Sequence, residues 1–119
     1  MTASALITSA RKLISDPKNW IGGTGRFEPT LMAEDKRGRE IDPRNEAAQR
    51  FTLDGALLRA ADLATKAGQG DYHQAVQHLR GMAKWKTLAE INDLKSHSAI
   101  IDMMERAARA LNVEQRIAA

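Results

Sequence analysis

The chain has 119 residues, of which 43% are hydrophobic and 28% charged, and it contains no cysteine. That length suits one domain able to hide roughly two-thirds of its unfolded surface, and the composition excludes a disordered or membrane-embedded chain. Without cysteine there is no disulfide framework, thiolate nucleophile or cysteine-based zinc site, so a reducing, cytoplasmic setting is the expectation. The formal charge of +3 is thinly spread: residues 1–50 hold nine basic and seven acidic side chains, and the remainder nine and eight. A nucleic-acid reader usually concentrates its cations on one face, so this balance argues only weakly for one.

Leu6, Ile7, Ala10, Leu13 and Ile14 recur at helical spacing, with Thr2 or Ser4 available as the N-cap. Thr8, Ser9, Arg11 and Lys12 interrupt that apolar series, which excludes the continuous run of a signal peptide or membrane span. Pro17 disfavours helical geometry at Asp16, so this helix stops near Ser15, and the pair Asp16-Pro17 starts a further turn ending at Trp20. From 21 to 43 the periodicity disappears and Gly22, Gly23 and Gly25 precede a polar stretch, which reads as a long loop. Inside it, residues 30–34 and 39–41 flank Asp35-Lys36-Arg37-Gly38, a turn suited to a small β-hairpin.

A long helix is expected over residues 45–66, with Ala47, Phe51, Leu57, Leu58, Ala61 and Ala64 as its buried stripe and Gly68 just past its end. Gly55 within it costs about 1 kcal/mol against alanine, so it marks close approach by another element or, equally, is a glycine the helix simply tolerates, while Asp54 is expected to face water. Asp71 is the expected cap of a third helix carrying Ala75, Val76, Leu79, Met82 and Ala83, with Trp85 at its end or in the following bend. Thr87-Leu88-Ala89-Glu90 fits a capping box and opens a short fourth helix. Ser96 can cap a last helix with Ile100, Ile101, Met104, Ala108 and Leu111 on one face and a stop at Asn112. The fold class is therefore mainly α: a compact bundle of four to five helices in a single domain over residues 1–119, with one long loop after the first helix.

Few residues suggest chemistry. The Gly22-Gly23-Thr24-Gly25-Arg26 run lacks the lysine and hydroxyl residue of a phosphate loop and the strand that precedes one. His73 and His78, five apart, diverge on a helix and His97 has no second histidine nearby, so neither a metal nor another cofactor is expected. Asn92, Asp93, Ser96 and His97 gather at the junction of two helices and, with Asp54, are the candidates for a ligand pocket. The same residue types are also what helix caps require, Asp93 and Ser96 for the last helix, with Asn92 satisfying backbone groups. No glycine-serine-glycine elbow recruits His97 into a catalytic triad. Both tryptophans are expected as core anchors, although Trp85 between Lys84 and Lys86 also suits an interface.

The order Leu-Ile-Ser-Asp-Pro-x-x-Trp at 13 to 20, the core Leu53-Asp54-Gly55-Ala56-Leu57, and then Ile91-Asn92-Asp93 and His97 before an Ile/Met-rich last helix resembles a family of small helical bacterial and phage proteins known only as a domain of unknown function. Many relatives carry a cysteine in the second long helix, where this chain has Phe51 or Thr52. That departure disfavours any cysteine-based role. The resemblance implies a small, free-standing helical protein and supplies no activity.

The function expected first is a non-enzymatic protein-interaction module, such as a phage- or mobile-element-encoded regulator or inhibitor of a host system, because long loops in small domains are often functional surfaces. Its candidate surface is Arg26, Phe27, Lys36, Arg37, Arg39 and Trp85. A small-ligand binder or hydrolase using Asp54, Asn92, Asp93 and His97 stands second. A nucleic-acid binder using Arg26, Lys36, Arg37, Arg39, Lys84 and Lys86 stands third.

Overall fold

A computed structural model describes residues 2–22 and 32–118. Thr2 accepts from the Ala5 amide and caps α1 (Ala3–Leu13), whose Ala3, Leu6, Ile7 and Ala10 are wholly buried. Every buried position lies on the face given by the three- and four-residue spacing, and the second, third and last helices pack against this first one. Ser4, the other candidate cap, instead donates its hydroxyl to the Ala108 carbonyl at 2.7 Å and ties α1 to the last helix. Asp16 caps a 3-10 turn (Pro17–Asn19) with the proline at its first position, and Trp20 closes it.

The expected hairpin is present only in part. Gly38 adopts φ 77° in the turn, and Glu34 does form a bridge with Glu40. The strand β1 (Ala33–Glu34), however, pairs antiparallel with β2 (Arg50–Phe51), in the register Ala33 with Phe51 and Glu34 with Arg50. That pairing corrects the expected helix over 45–66, because residues 50 and 51 are extended and hydrogen-bonded to another segment. The Ile21 amide bonds the Phe51 carbonyl from the other side at 2.9 Å, and the Arg50 guanidinium binds Glu34 at 2.8 Å and the Lys18 carbonyl at 3.1 Å. Ala47 and Ala64, assigned to a buried stripe, are exposed, and Leu58 is half-buried.

Helix α2 therefore covers only Leu53–Ala60, capped by Thr52, with Leu53, Ala56 and Leu57 buried. Of the two readings of Gly55, close approach holds: a Cβ there would run into the Met32 carbonyl oxygen, which also accepts from the Thr52 amide. Thr65, rather than Asp71, caps α3 (Lys66–Met82), so Gly68 lies in the first turn and not beyond the preceding helix. A Cβ at Gly68 would meet the Asp62 carbonyl at 1.7 Å, and this close packing holds the corner between α2 and α3.

The capping box at Thr87 and Glu90 opens α4 (Leu88–Leu94), which includes Asn92, Asp93 and Leu94 in its last turn. Ser96 caps α5 (His97–Ala118) through the Ala99 amide. This helix continues past Asn112, since neither a glycine nor a proline is there to stop it. Ile100, Met103, Met104, Ala107 and Leu111 face α1, while Ile101 is half-buried. The five helices and one small sheet make a mainly α fold with a single continuous core, and among the described residues no helix is long and apolar enough to cross a membrane.

Candidate functional site

The junction between α4 and α5 is built on Asn92, which is only 6% exposed. Its Oδ1 accepts from Trp20 Nε1 at 2.8 Å and from the Leu53 amide at 2.9 Å, and its Nδ2 donates to the Ile21 carbonyl at 2.9 Å. One side chain thus satisfies three groups from two separate segments. His97 adds a 2.6 Å hydrogen bond between Nε2 and the Ile14 carbonyl, and its ring lies 5.3 Å from that of Trp20. Asn92 and His97 are brought together around Trp20, as the sequence spacing suggested, but Asn92 Oδ1 and Nδ2 and His97 Nε2 are committed to other parts of the chain.

Asp54 and Asp93 do not join that pair through any side-chain hydrogen bond among the described residues. Asp54 does not simply face water: it accepts from the Tyr72 hydroxyl at 2.6 Å, and burial pushes its carboxyl above the usual aspartate range, the Tyr72 bond offsetting part of that. Tyr72 is shifted upward in turn, by burial and by the adjacent carboxylate. Asp93 stays half-exposed in α4, and the cap of α5 is Ser96 alone. Tyr72 was absent from the sequence candidates because a lone tyrosine on an amphipathic helix carries no signal of its partner.

Of the expected interaction surface, Arg26 and Phe27 lie outside the described residues. Asp35 organises the turn around Lys36 and Arg37, accepting from the Arg37 and Arg39 amides and from Arg39 Nε at 3.0 Å. Those bonds, led by the Arg39 amide, hold its carboxyl below the usual range. Arg39 is therefore paired, whereas Lys36 and Arg37 extend into solvent.

Trp85 departs furthest from the expectation of a core anchor: it is 60% exposed. The end of α3 explains how it is placed. Lys84 and Trp85 both adopt left-handed backbone, φ 55° and 64°, and the Trp85 amide donates back to the Arg80 carbonyl, which is the hydrogen bond that closes a helix when glycine occupies the position of Lys84. Left-handed geometry costs a residue with a side chain about 1–2 kcal/mol. The Arg80 guanidinium holds the turn from outside, donating through Nε to the Lys86 carbonyl and through an Nη to the Trp85 carbonyl, each at 3.1 Å. The indole folds back so that its outer ring lies over Gly81, 3.7 Å from where a Cβ would stand. One edge rests on α3 and the rest of the ring meets solvent. Arg80 was missing from the sequence reading because its partners are carbonyls five and six residues ahead, which no spacing rule marks.

A small depression of about 80 Å³, lined by Leu6, Asp62, Thr65, Ala67, Gly68 and Asp71, lies at the corner between α2 and α3 and contains none of the candidate residues. The family model that matches runs over residues 1–110, from before α1 to the buried part of α5. The chain belongs to a family of unknown function, DUF6197. Membership covers every element that builds the Asn92 junction and the Trp85 turn. Neither the curated proteins nor the solved structures contain a match to it.

Proposed function

We propose that this DUF6197 protein is a non-enzymatic protein-interaction module that docks on a partner protein through the Trp85 turn, acting as a regulator or inhibitor does by occupying a surface. The observation that carries the reading is the 60% exposure of a tryptophan held on a fixed, left-handed turn. Ending a helix requires neither an indole in water nor two consecutive side-chain-bearing residues of positive φ; glycine at 84 and a small polar residue at 85 would do so at lower cost. Backbone strain of this kind concentrates at functional sites, and tryptophan is the residue most enriched among side chains that dominate binding. A rigid aromatic with little rotamer freedom loses little entropy on docking. Asn92 Oδ1 and Nδ2 and His97 Nε2 are already engaged by the chain, which favours this reading over a ligand pocket at the junction. The lack of cysteine fits action in the cytoplasm.

The test compares wild type with Trp85→Ala as baits in native lysate, with thermal melting of both. A protein recovered by wild type and lost with an equally stable Trp85→Ala supports the reading. Equal recovery of every partner by the two baits overturns it.

A further inference from the structure

Resting on the interaction reading of Trp85, we infer that the partner segment is acidic protein, with carboxylates around an apolar side chain that lies on the indole. The charge distribution carries this. Six arginines of the described surface are matched to carboxylates, Arg11 and Arg109 to Glu105, Arg39 to Asp35, Arg44 to Asp42, Arg50 to Glu34 and Arg106 to Asp102, while Arg37 is exposed and Arg59 binds the Pro43 and Asn45 carbonyls. The turn at Trp85 gathers three more cations without a carboxylate in ion-pair contact among the described residues, Arg80, Lys84 and Lys86. Lys84 and Lys86 flank the ring in the chain, both exposed, and neither forms an ion pair among the described residues. Arg80 binds carbonyl groups, which engage its donors without cancelling its charge. The nearby carboxylate, Glu90, is occupied in the capping box, where its hydrogen bonds from the Thr87 amide and hydroxyl fix it against α4. Three cations of this turn thus neighbour an exposed indole with one committed anion, and a ligand that supplies carboxylates complements their charge.

Nucleic acid also offers negative charge and rings that stack on tryptophan. A strand needs a row of cations along its backbone, however, and the basic residues of this chain are spread among nearly as many acidic ones, nine to seven over residues 1–50 and nine to eight over the remainder. Two free lysines beside one indole fit a short acidic peptide better than a tracked polyanion.

The experiment uses the intact chain and three probes at moderate ionic strength: a random glutamate–tyrosine copolymer, poly-glutamate, and an oligothymidylate. Binding is read by calorimetry and by Trp85 emission, with Trp85→Phe supplying the Trp20 background. The copolymer is expected to bind more tightly than poly-glutamate or oligothymidylate. Trp85→Ala should weaken copolymer binding about thirtyfold, as loss of a binding hot spot does. The double variant Lys84→Asn, Lys86→Gln, whose asparagine tolerates the left-handed backbone, should weaken it about tenfold without lowering the melting temperature. No copolymer binding, tighter binding of oligothymidylate, or indifference to the lysine variant would overturn the inference. A lysate partner that requires Trp85 but ignores the lysine variant would leave the interaction reading standing and remove only the acidic ligand.

Discussion

The two tryptophans of this chain sit in opposite environments, and the contrast separates what builds the fold from what the fold displays. Trp20 follows a 3-10 turn, donates its indole N–H to Asn92 and packs beside His97, so its partners come from the far end of the sequence. Trp85 is held by Arg80 and Gly81 of its own helix end and leaves most of its ring in water. Long-range bonding from side chain to distant backbone marks the first region as structural. Local bonding that fixes a backbone while exposing its side chain marks the second as a surface for use.

Asn92→Ala is the change with the largest expected effect. It leaves the Leu53 amide, the Ile21 carbonyl and the Trp20 indole without partners, and at about 1–3 kcal/mol for each unmet buried group the loss should reach about 3–5 kcal/mol in denaturant unfolding. A loss under about 1 kcal/mol would break the structural side of the comparison. Two glycines sharpen it next. Gly55→Ala drives a methyl into the Met32 carbonyl and should cost about 2 kcal/mol or more, whereas Gly81→Ala makes only an ordinary contact with the Trp85 ring and should stabilise α3 by about 0.5–1 kcal/mol. At the strained turn, Lys84→Gly should stabilise by about 1 kcal/mol by relieving its left-handed backbone, measured as a rise in melting temperature.

The smallest expected effect is a pH dependence at Asp54. Its folded-state pKa is raised above 3.8 by burial, so the proton favours the fold: the contribution is fully present below 3.8 and is lost as pH rises through the folded-state value. Asp54→Asn cannot ionise and keeps an acceptor for Tyr72. Its melting temperature relative to wild type should therefore climb as pH rises through that window, and a flat difference would contradict the assignment.

What the sequence made legible was local. Thr2, the Thr87–Glu90 capping box and Ser96 act within three residues of themselves, so residue type and spacing sufficed to place the starts of α1, α4 and α5. Gly55 raised the question of a close neighbour by its cost in a helix, but a tolerated glycine would look the same in sequence, and only the fold brings up Met32. The expected helix over 45–66 failed because helical periodicity cannot register competition from a distant strand: Arg50 and Phe51 are extended by pairing with Ala33 and Glu34. For the same reason Asn92 was legible as a polar residue at a junction but not as the tie between Trp20, Ile21 and Leu53, which lie 72, 71 and 39 residues away. At Trp85 the flanking lysines were visible, while its exposure depends on a positive-φ helix end at a lysine, where propensity points to glycine.

The most direct test of this division is equilibrium unfolding of Trp20→Ala and Trp85→Ala measured side by side. If Trp20 belongs to the fold and Trp85 to the display surface, Trp20→Ala should lose about 2–4 kcal/mol through its packing and its bond to Asn92, and Trp85→Ala should stay within about 0.5 kcal/mol of wild type. Comparable losses from the two substitutions would contradict it, because Trp85 would then be a stabilising contact of the folded chain rather than a side chain held out for a partner.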